Sequence, residues 1–298
     1  MTLGLSVLIP VFNWEVGALV KALVAQRHDW PGPVEILLLD DGSREEVRVL
    51  NQPLAALAGV RYHELSRNVG RAAIRNQLAA AAQHGWLLLL DNDSLLPDAQ
   101  FLAHYAAASA QAAVLIGGTA YAETPPTDPA LRLRWLYGHS REARPAAVRQ
   151  AAPYNQLTIN NALIKAEILR QFPLDERLSG YGHEDTRFGE ALARARVAIH
   201  HLDNPVLHNG LEPANIFLLK SEQAVRNLAQ AYRENPQGAS ESRLLQTALR
   251  LRRLGLAPAA RLALGAAAPT WRRQLLSAAP RLPLFDLLKL HWLLRELA

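Results

Sequence analysis

Trp86-Leu-Leu-Leu-Leu-Asp91-Asn92-Asp93-Ser94 constrains this chain more than any other stretch. Four consecutive leucines behind a tryptophan predict a strand buried on both faces, the kind found in mostly parallel sheets. Such a strand needs helices on both sides, so an α/β architecture follows. It also ends in two carboxylates one residue apart. The carboxyl ends of strands in open α/β sheets face the ligand crevice, and an Asp-x-Asp there suits a hard divalent cation held against a diphosphate. The same triplet also suits an ordinary turn, because Asp and Asn stabilise turns by bonding their own backbone.

The flanking chain repeats the pattern. Leu5-Ser-Val-Leu-Ile-Pro10 predicts a first strand, and Glu15 to Gln26 carries apolar residues at helical spacing. Val34 to Asp40 predicts a second buried strand, closed by Asp40-Asp41-Gly42-Ser43, with Ser43 placed to cap a helix. Val60 to Leu65 is a third strand, and Asn68-Val-Gly70 turns into an alanine-rich helix from about Arg71 to Gln83. This β-α-β-α-β-α-β order predicts a Rossmann-like, mostly parallel sheet. No Gly-x-Gly-x-x-Gly follows the first strand and no P-loop occurs, so neither a dinucleotide fold nor a P-loop NTPase is indicated.

Beyond Pro97 the pattern loosens. The spacing predicts a helix over Phe101 to Ala112, a strand over Val114 to Thr119, and a proline-rich loop over Glu123 to Ala152 with a short helix near Leu131 to Tyr137. A second short helix is expected over Lys165 to Arg170, preceded by Thr158-Ile-Asn160-Asn161-Ala162. A longer one starts at Gly182-His-Glu184-Asp185 and runs to about Ala195. Val197 to His201 and Val206 to His208 read as short strands, Glu212 to Arg233 as a long helix, and Asn235-Pro-Gln-Gly238 as a linker. Two domains are therefore expected: 1–234, with a nucleotide-binding half to about 120 and an acceptor half after it, and a basic helical region over 235–298.

Composition narrows the chemistry. The chain of 298 residues has no cysteine, which excludes disulfides, zinc–thiolate centres and thiol catalysis. Met1 to Pro10 has no signal-peptide character and no run of 18 apolar residues occurs, so a cytoplasmic protein is expected. The net charge of +5 is unevenly placed, with the basic excess concentrated in 240–298. Together with Leu287-Leu-Lys-Leu-His-Trp-Leu-Leu294, that excess suggests peripheral contact with the inner membrane surface; an arginine-decorated helical subdomain is the plainer alternative.

Pro10-Val-Phe-Asn13, Asp40-Asp-Gly-Ser43, Asn68-Val-Gly70 with Arg75-Asn76, Asp91-Asn-Asp93 and Gly182-His-Glu184-Asp185 stand in the order and approximate spacing of family 2 glycosyltransferases. The chain resembles that family over about residues 3 to 220. The Gly-His-Glu-Asp segment and its downstream histidine resemble the C-terminal half of galactosyltransferase-type domains. The resemblance implies the GT-A fold: a Rossmann-like, mostly parallel mixed sheet flanked by helices, here with a helical C-terminal extension. It implies inverting, metal-dependent transfer of a hexose or N-acetylhexosamine from a nucleotide sugar, UDP foremost, to a hydroxyl of a glycan or lipid-linked glycan.

Residue by residue, the resemblance makes Asp93 the direct ligand of Mn²⁺ or Mg²⁺, with Asp91 direct or through water and His208 as a third ligand. Imidazole favours Mn²⁺ over Mg²⁺. Pro10, Phe12 and Asn13 line the base and ribose, and Asp41 accepts the pyrimidine N3–H, which uracil and thymine offer and cytosine lacks. Arg75 reaches the diphosphate or is simply exposed on its helix, and Asn92 lies at the donor beside Asp91. Asp185 is the base that takes the acceptor proton and Glu184 bonds substrate hydroxyls, or the two exchange roles. Asn160 and Asn161 stand near the donor sugar, while Trp135, Tyr137 and Tyr181 are aromatic residues open to either sugar stacking or packing. A nucleotidyltransferase, or a non-catalytic basic binding protein, are the alternative readings. No nucleic-acid partner is expected.

Overall fold

The apolar strand Trp86–Leu90 lies at the centre of a seven-stranded sheet, with all five of its residues buried. The computed structural model describes residues 4–176, 184–234, 236 and 242–298. Its strands are β1 (Leu5–Val11), β2 (Val34–Asp40), β3 (Val60–Glu64), β4 (Trp86–Leu90), β5 (Ser94–Leu95), β6 (Val114–Ile116), β7 (Thr119–Ala120), β8 (Asn161–Lys165), β9 (Ile199–His201) and β10 (Val206–His208). The main sheet runs β3-β2-β1-β4-β8-β6-β9, and β5-β10-β7 form a small second sheet. All neighbours in the main sheet are parallel except β8, which is antiparallel to both β4 and β6.

Alternation along β1 explains the layering. Leu5, Val7, Ile9 and Val11 face one core, with Leu19, Leu23 and Phe101 from the helices Gly17–Gln26 and Phe101–Ala108. Leu8 faces the other, with Ile74, Leu78, Ile168, Phe188 and Leu192 from the helices Arg71–Ala81, Ala166–Gln171 and Glu184–Arg194. Successive side chains of a strand point to opposite faces, so a sheet covered on both sides requires apolar residues at almost every position.

Two expectations change here. Asn161–Lys165 is a strand rather than the approach to a helix, and the helix begins only at Ala166. Periodicity does not separate strand from helix in so short an apolar run. The strand expected over Val114 to Thr119 splits at Gly117-Gly118, because Gly118 takes φ +88° and sends Thr119 into the second sheet.

Chain compactness also divides the protein differently from 1–234 and 235–298. One unit holds the chain to Tyr121, the stretch from Glu142, and Glu184–Gly210; the other holds Ala122–Arg141 and Leu211–Ala298. Asn235, Gln237 and Gly238 of the expected linker lie outside the described residues. The second unit is helical. Leu133, Phe217, Leu218, Val225, Leu245, Leu275, Phe285, Leu288, Trp292 and Leu293 form its core. Leu287–Leu294 is thus mainly an internal packing face: Leu288, Trp292, Leu293 and Leu294 are buried. Those four side chains are not available for the lipid contact expected of that stretch. No described helix is long and apolar enough to cross a membrane.

Candidate active site

The candidate site residues sit at the carboxyl ends of β1, β2, β4 and β10, and at the first turn of the helix Glu184–Arg194. All of them belong to the first unit.

At the end of β1, Pro10 pairs with Leu39 inside the sheet, Phe12 is 47% exposed, and Asn13 adopts φ 49°. That left-handed conformation is one asparagine tolerates better than most residues. It lets the Asn13 backbone N–H donate to Ser43 Oγ (2.8 Å) while its side-chain oxygen accepts from the Arg44 N–H (2.9 Å). The β1 and β2 loops are thereby tied together. Asp40 closes β2 and braces the turn after it: buried, it accepts from the Ser43 N–H at 2.6 Å and from the Tyr62 hydroxyl at 3.3 Å. Asp41 accepts from the backbone N–H groups of Val69 (2.6 Å) and Gly70 (3.3 Å), fixing the Asn68-Val-Gly70 loop. Burial pushes its pKa up, and those two N–H donors work against the rise. A carboxylate has about four lone-pair sites, so two remain for a further N–H.

The turn after β4 gives the two carboxylates different partners. Asp91 Oδ1 accepts from Arg75 Nη2, and Oδ2 lies 3.6 Å from Arg71 Nη2. Burial raises the Asp91 pKa, but Arg75 and Arg71 outweigh it and hold the group lowered and ionised. Arg75 is only 3% exposed and its other terminal nitrogen caps the Arg71 carbonyl, so it is neither the exposed helix residue nor free to swing. Asn92 donates to the Phe12 carbonyl at 3.4 Å.

Asp93 is placed differently. Its Oδ2 lies 3.4 Å from His208 Nδ1, while its Oδ1 and His208 Nε2 are both buried with no hydrogen-bond partner. Buried polar atoms are almost always paired, so two orphans on adjacent side chains call for a ligand. The register of the small sheet creates this meeting: β10 runs antiparallel to β5 with His208 opposite Ser94. The Asn209 N–H donates to the Asp93 carbonyl (2.8 Å), and the ring of Tyr121 packs edge-on to His208 with centroids 5.3 Å apart. Gly210 passes so close to the Asp93 carboxylate that a Cβ there would collide with it. A cleft of about 360 Å³ opens beside these groups, lined among others by Asn13, Trp14, Asn92, Asp93 and Asn209.

Among the described residues, no three His, Cys, Asp or Glu side chains converge to hold a metal. Asp93 and His208 nonetheless fit a divalent ion of the kind that takes one or two protein ligands and completes its shell with substrate phosphates and water. Asp91, held by two guanidinium groups, fits direct coordination less well than Asp93 and His208.

Glu184 and Asp185 open their helix side by side. Glu184 accepts from Arg71 Nε at 2.9 Å. Asp185 has a buried, unpartnered Oδ1, and its pKa is pushed up to about 7, first by burial and then by the Glu184 charge. Arg71 is the residue the sequence reading missed. Lying at the first position of its helix, it links Glu184 to Asp91. Its place directly after Asn68-Val-Gly70 was the available signal.

Asn160 and Asn161 part company. Asn161 is fully buried and spent on the Gly118 and Asn204 carbonyls and the Tyr105 hydroxyl. Asn160 donates to Thr119 Oγ1 (2.8 Å), accepts the Asp91 N–H on its carbonyl, and keeps a buried, unpartnered Oδ1. In the second unit, Trp135 donates to the Ala122 carbonyl and Tyr137 packs on Phe217 and Phe285. Gly180, Tyr181, Gly182 and His183 lie outside the described residues.

Comparison with known proteins bears on the family and the fold. Dodecaprenyl-phosphate galacturonate synthase of Rhizobium johnstonii is 32% identical over 96 residues, which is 31% of this chain and 28% of that protein. The match therefore spans little more than a quarter of that relative. The mannosyltransferase PcManGT from Pyrobaculum calidifontis, solved with GDP-Man and Mn²⁺, superposes with a TM-score of 0.60 at 17% identity, over 98% of this chain and 85% of its own. S. aureus TarS 1-349 with UDP-GlcNAc gives a TM-score of 0.52 at 16% identity, over 97% and 90%. These likenesses establish the GT-A fold. The model described as "Glycosyl transferase family 2" matches residues 6–169, more than half of the chain, and the protein belongs to that family.

Proposed function

We propose that this family 2 glycosyltransferase is an inverting enzyme that uses a UDP-sugar and a divalent ion, Mn²⁺ before Mg²⁺, to glycosylate a hydroxyl of a glycan or lipid-linked glycan. One observation carries the reading: the two orphaned buried atoms, Asp93 Oδ1 and His208 Nε2, on side chains 3.4 Å apart at the end of an apolar strand. The ion would supply positive charge at the diphosphate as the bond to the sugar breaks. Asp93 and His208 would hold it. Asp91, clamped by Arg75 and Arg71, stays ionised beside it and fits an indirect role through water or a donor hydroxyl.

Asp185 supplies the other half of the reaction. Its unpartnered Oδ1 accepts the proton of the attacking acceptor hydroxyl while the nucleoside diphosphate leaves from the opposite face of the anomeric carbon. A base with a pKa near 7 is matched to neutral operating pH. Glu184, held by Arg71, is left to orient substrate hydroxyls. The free Oδ1 of Asn160 fits a donor-sugar hydroxyl.

The UDP assignment rests on Asp41, whose remaining lone pairs suit the N3–H of uracil. Guanine also offers N–H donors, so a donor panel decides. With Mn²⁺ present, release of nucleoside diphosphate is expected from one or more of UDP-glucose, UDP-galactose and UDP-N-acetylglucosamine, in preference to GDP-mannose. Preference for GDP-mannose would overturn the base assignment while leaving the metal site intact.

A further inference from the structure

The helices Arg243–Arg253 and Ala257–Leu275 are joined by the tight turn Leu254-Gly255-Leu256, and that turn carries an unusual surface. Leu254 is 60% exposed, Leu256 50% and Leu262 78%. Arg250, Arg252, Arg253 and Arg261, on the same two helices, are exposed, and none is ion-paired among the described residues. From Ser242 to Phe285 the chain carries eight arginines and no Asp or Glu. Three exposed leucines, with four exposed arginines close by in the sequence and no acidic residue among them, do not resemble an ordinary solvated helix face, where charges of both signs are interspersed.

The backbone of the tip is closed on itself. Gly255, at φ +70°, lets its own N–H donate to the Arg252 carbonyl (3.0 Å) and the Leu256 N–H to the Leu251 carbonyl (2.9 Å). This is the double bond pattern of a Schellman motif. Such a turn exposes leucines without exposing the unpaired backbone groups that make entry into an apolar medium costly. In soluble packing a hydrophobic contact usually covers the residue after the glycine; here Leu256 stays half exposed.

We propose that this helical hairpin tip, with Leu254, Leu256 and Leu262 as the inserting residues and Arg250, Arg252, Arg253 and Arg261 as the headgroup contacts, docks the protein on an anionic lipid surface. The arginines match acidic headgroups in charge, and the leucines match the acyl boundary just beneath them. A nucleic acid would satisfy the arginines alone and leave the leucines in water, which is why the lipid surface is the occupant. The inference goes beyond the transfer reaction and stands without it, because docking is measured with no donor present.

The test is co-sedimentation of the full chain with vesicles of phosphatidylcholine, alone or mixed with phosphatidylglycerol. Wild-type protein is expected to sediment with the mixed vesicles and to stay in solution with the neutral ones. Replacing the four arginines by glutamine should lower partitioning by roughly 600-fold, since each basic residue near such a surface contributes roughly a fivefold factor. The triple variant L254Q/L256Q/L262Q should lose about tenfold or more. It should keep the wild-type melting temperature, because all three side chains are exposed. The proposal is overturned if wild-type protein ignores the acidic vesicles, or if the leucine variant binds them as tightly as wild type. It is equally overturned if RNA binds the protein with the same affinity in wild type and leucine variant and displaces it from vesicles, which would mark a polyanion site.

Discussion

Asp185→Asn is expected to lower kcat by about 10²- to 10⁴-fold, the range general-base catalysis supplies, with little change in donor affinity. Asparagine preserves shape and removes the proton acceptor. The pH profile gives a second readout. With the Asp185 pKa near 7, wild-type kcat/KM should climb through neutral pH and level off above it, and the variant's residual activity should lose that limb. Stability should move the other way. A carboxylic acid whose pKa is raised in the folded protein is harder to ionise there than in the unfolded chain. It costs nothing below its unfolded value of about 4, an increasing amount as pH rises toward 7, and a constant amount beyond. The variant should therefore melt above wild type at pH 8 and close to it at pH 4. Buried polar groups held ready for chemistry commonly carry such a cost. Equal melting temperatures at pH 8 would indicate that Asp185 is well solvated and not poised as a base.

Asp93→Ala should cost more in the metal-dependent step. Stabilisation of the departing diphosphate by a bound cation accounts for several kcal/mol, so removal of its principal carboxylate should lower kcat/KM by roughly 10³-fold. His208→Ala should act more gently. The Mn²⁺ concentration required for half-maximal activity should rise roughly 10- to 100-fold while kcat at saturating metal changes less. Asp91→Asn should differ from both, because Asp91 balances Arg75, a guanidinium only 3% exposed. Neutralising one partner of a buried ion pair destabilises the fold by about 3 kcal/mol or more. A lowered melting temperature is expected in Asp91→Asn but not in Asp93→Ala, and the contrast separates the structural carboxylate from the metal-binding one.

Much of this was legible in the sequence because strands buried on both faces leave a continuous apolar signature. β1, β2 and β4 carry it, and the polar residues at their ends become conspicuous by contrast. Asp91, Asp93, Asp41 and the Glu184-Asp185 pair could be singled out on that basis together with family resemblance. What escaped were features decided by pairing between distant segments. β8 reads as a helix lead-in because Ala162-Leu-Ile has no distinguishing period, and only its position between β4 and β6 makes it a strand. Whether Arg75 lies exposed or buried depends on Asp91, sixteen residues away, meeting its guanidinium. Arg71 belongs to the site only because Glu184, over a hundred residues later, comes within hydrogen-bond reach of its guanidinium. The leucines after Leu287 suggested a lipid-facing stripe, and most of them instead fill the core of the second unit. Amphipathic pattern alone does not distinguish a membrane from a neighbouring helix. The family assignment also removes the nucleotidyltransferase alternative.

Titration of UDP into the protein with and without Mn²⁺, in wild type and Asp93→Ala, tests the central claim most directly. The account predicts tight binding to wild type only when Mn²⁺ is present, with proportionate thermal stabilisation of about 2.7 kcal/mol at a hundred times the dissociation constant. It predicts that Asp93→Ala removes the Mn²⁺ dependence and most of the affinity. UDP binding that is indifferent to Mn²⁺, or that survives unchanged in Asp93→Ala, would contradict it.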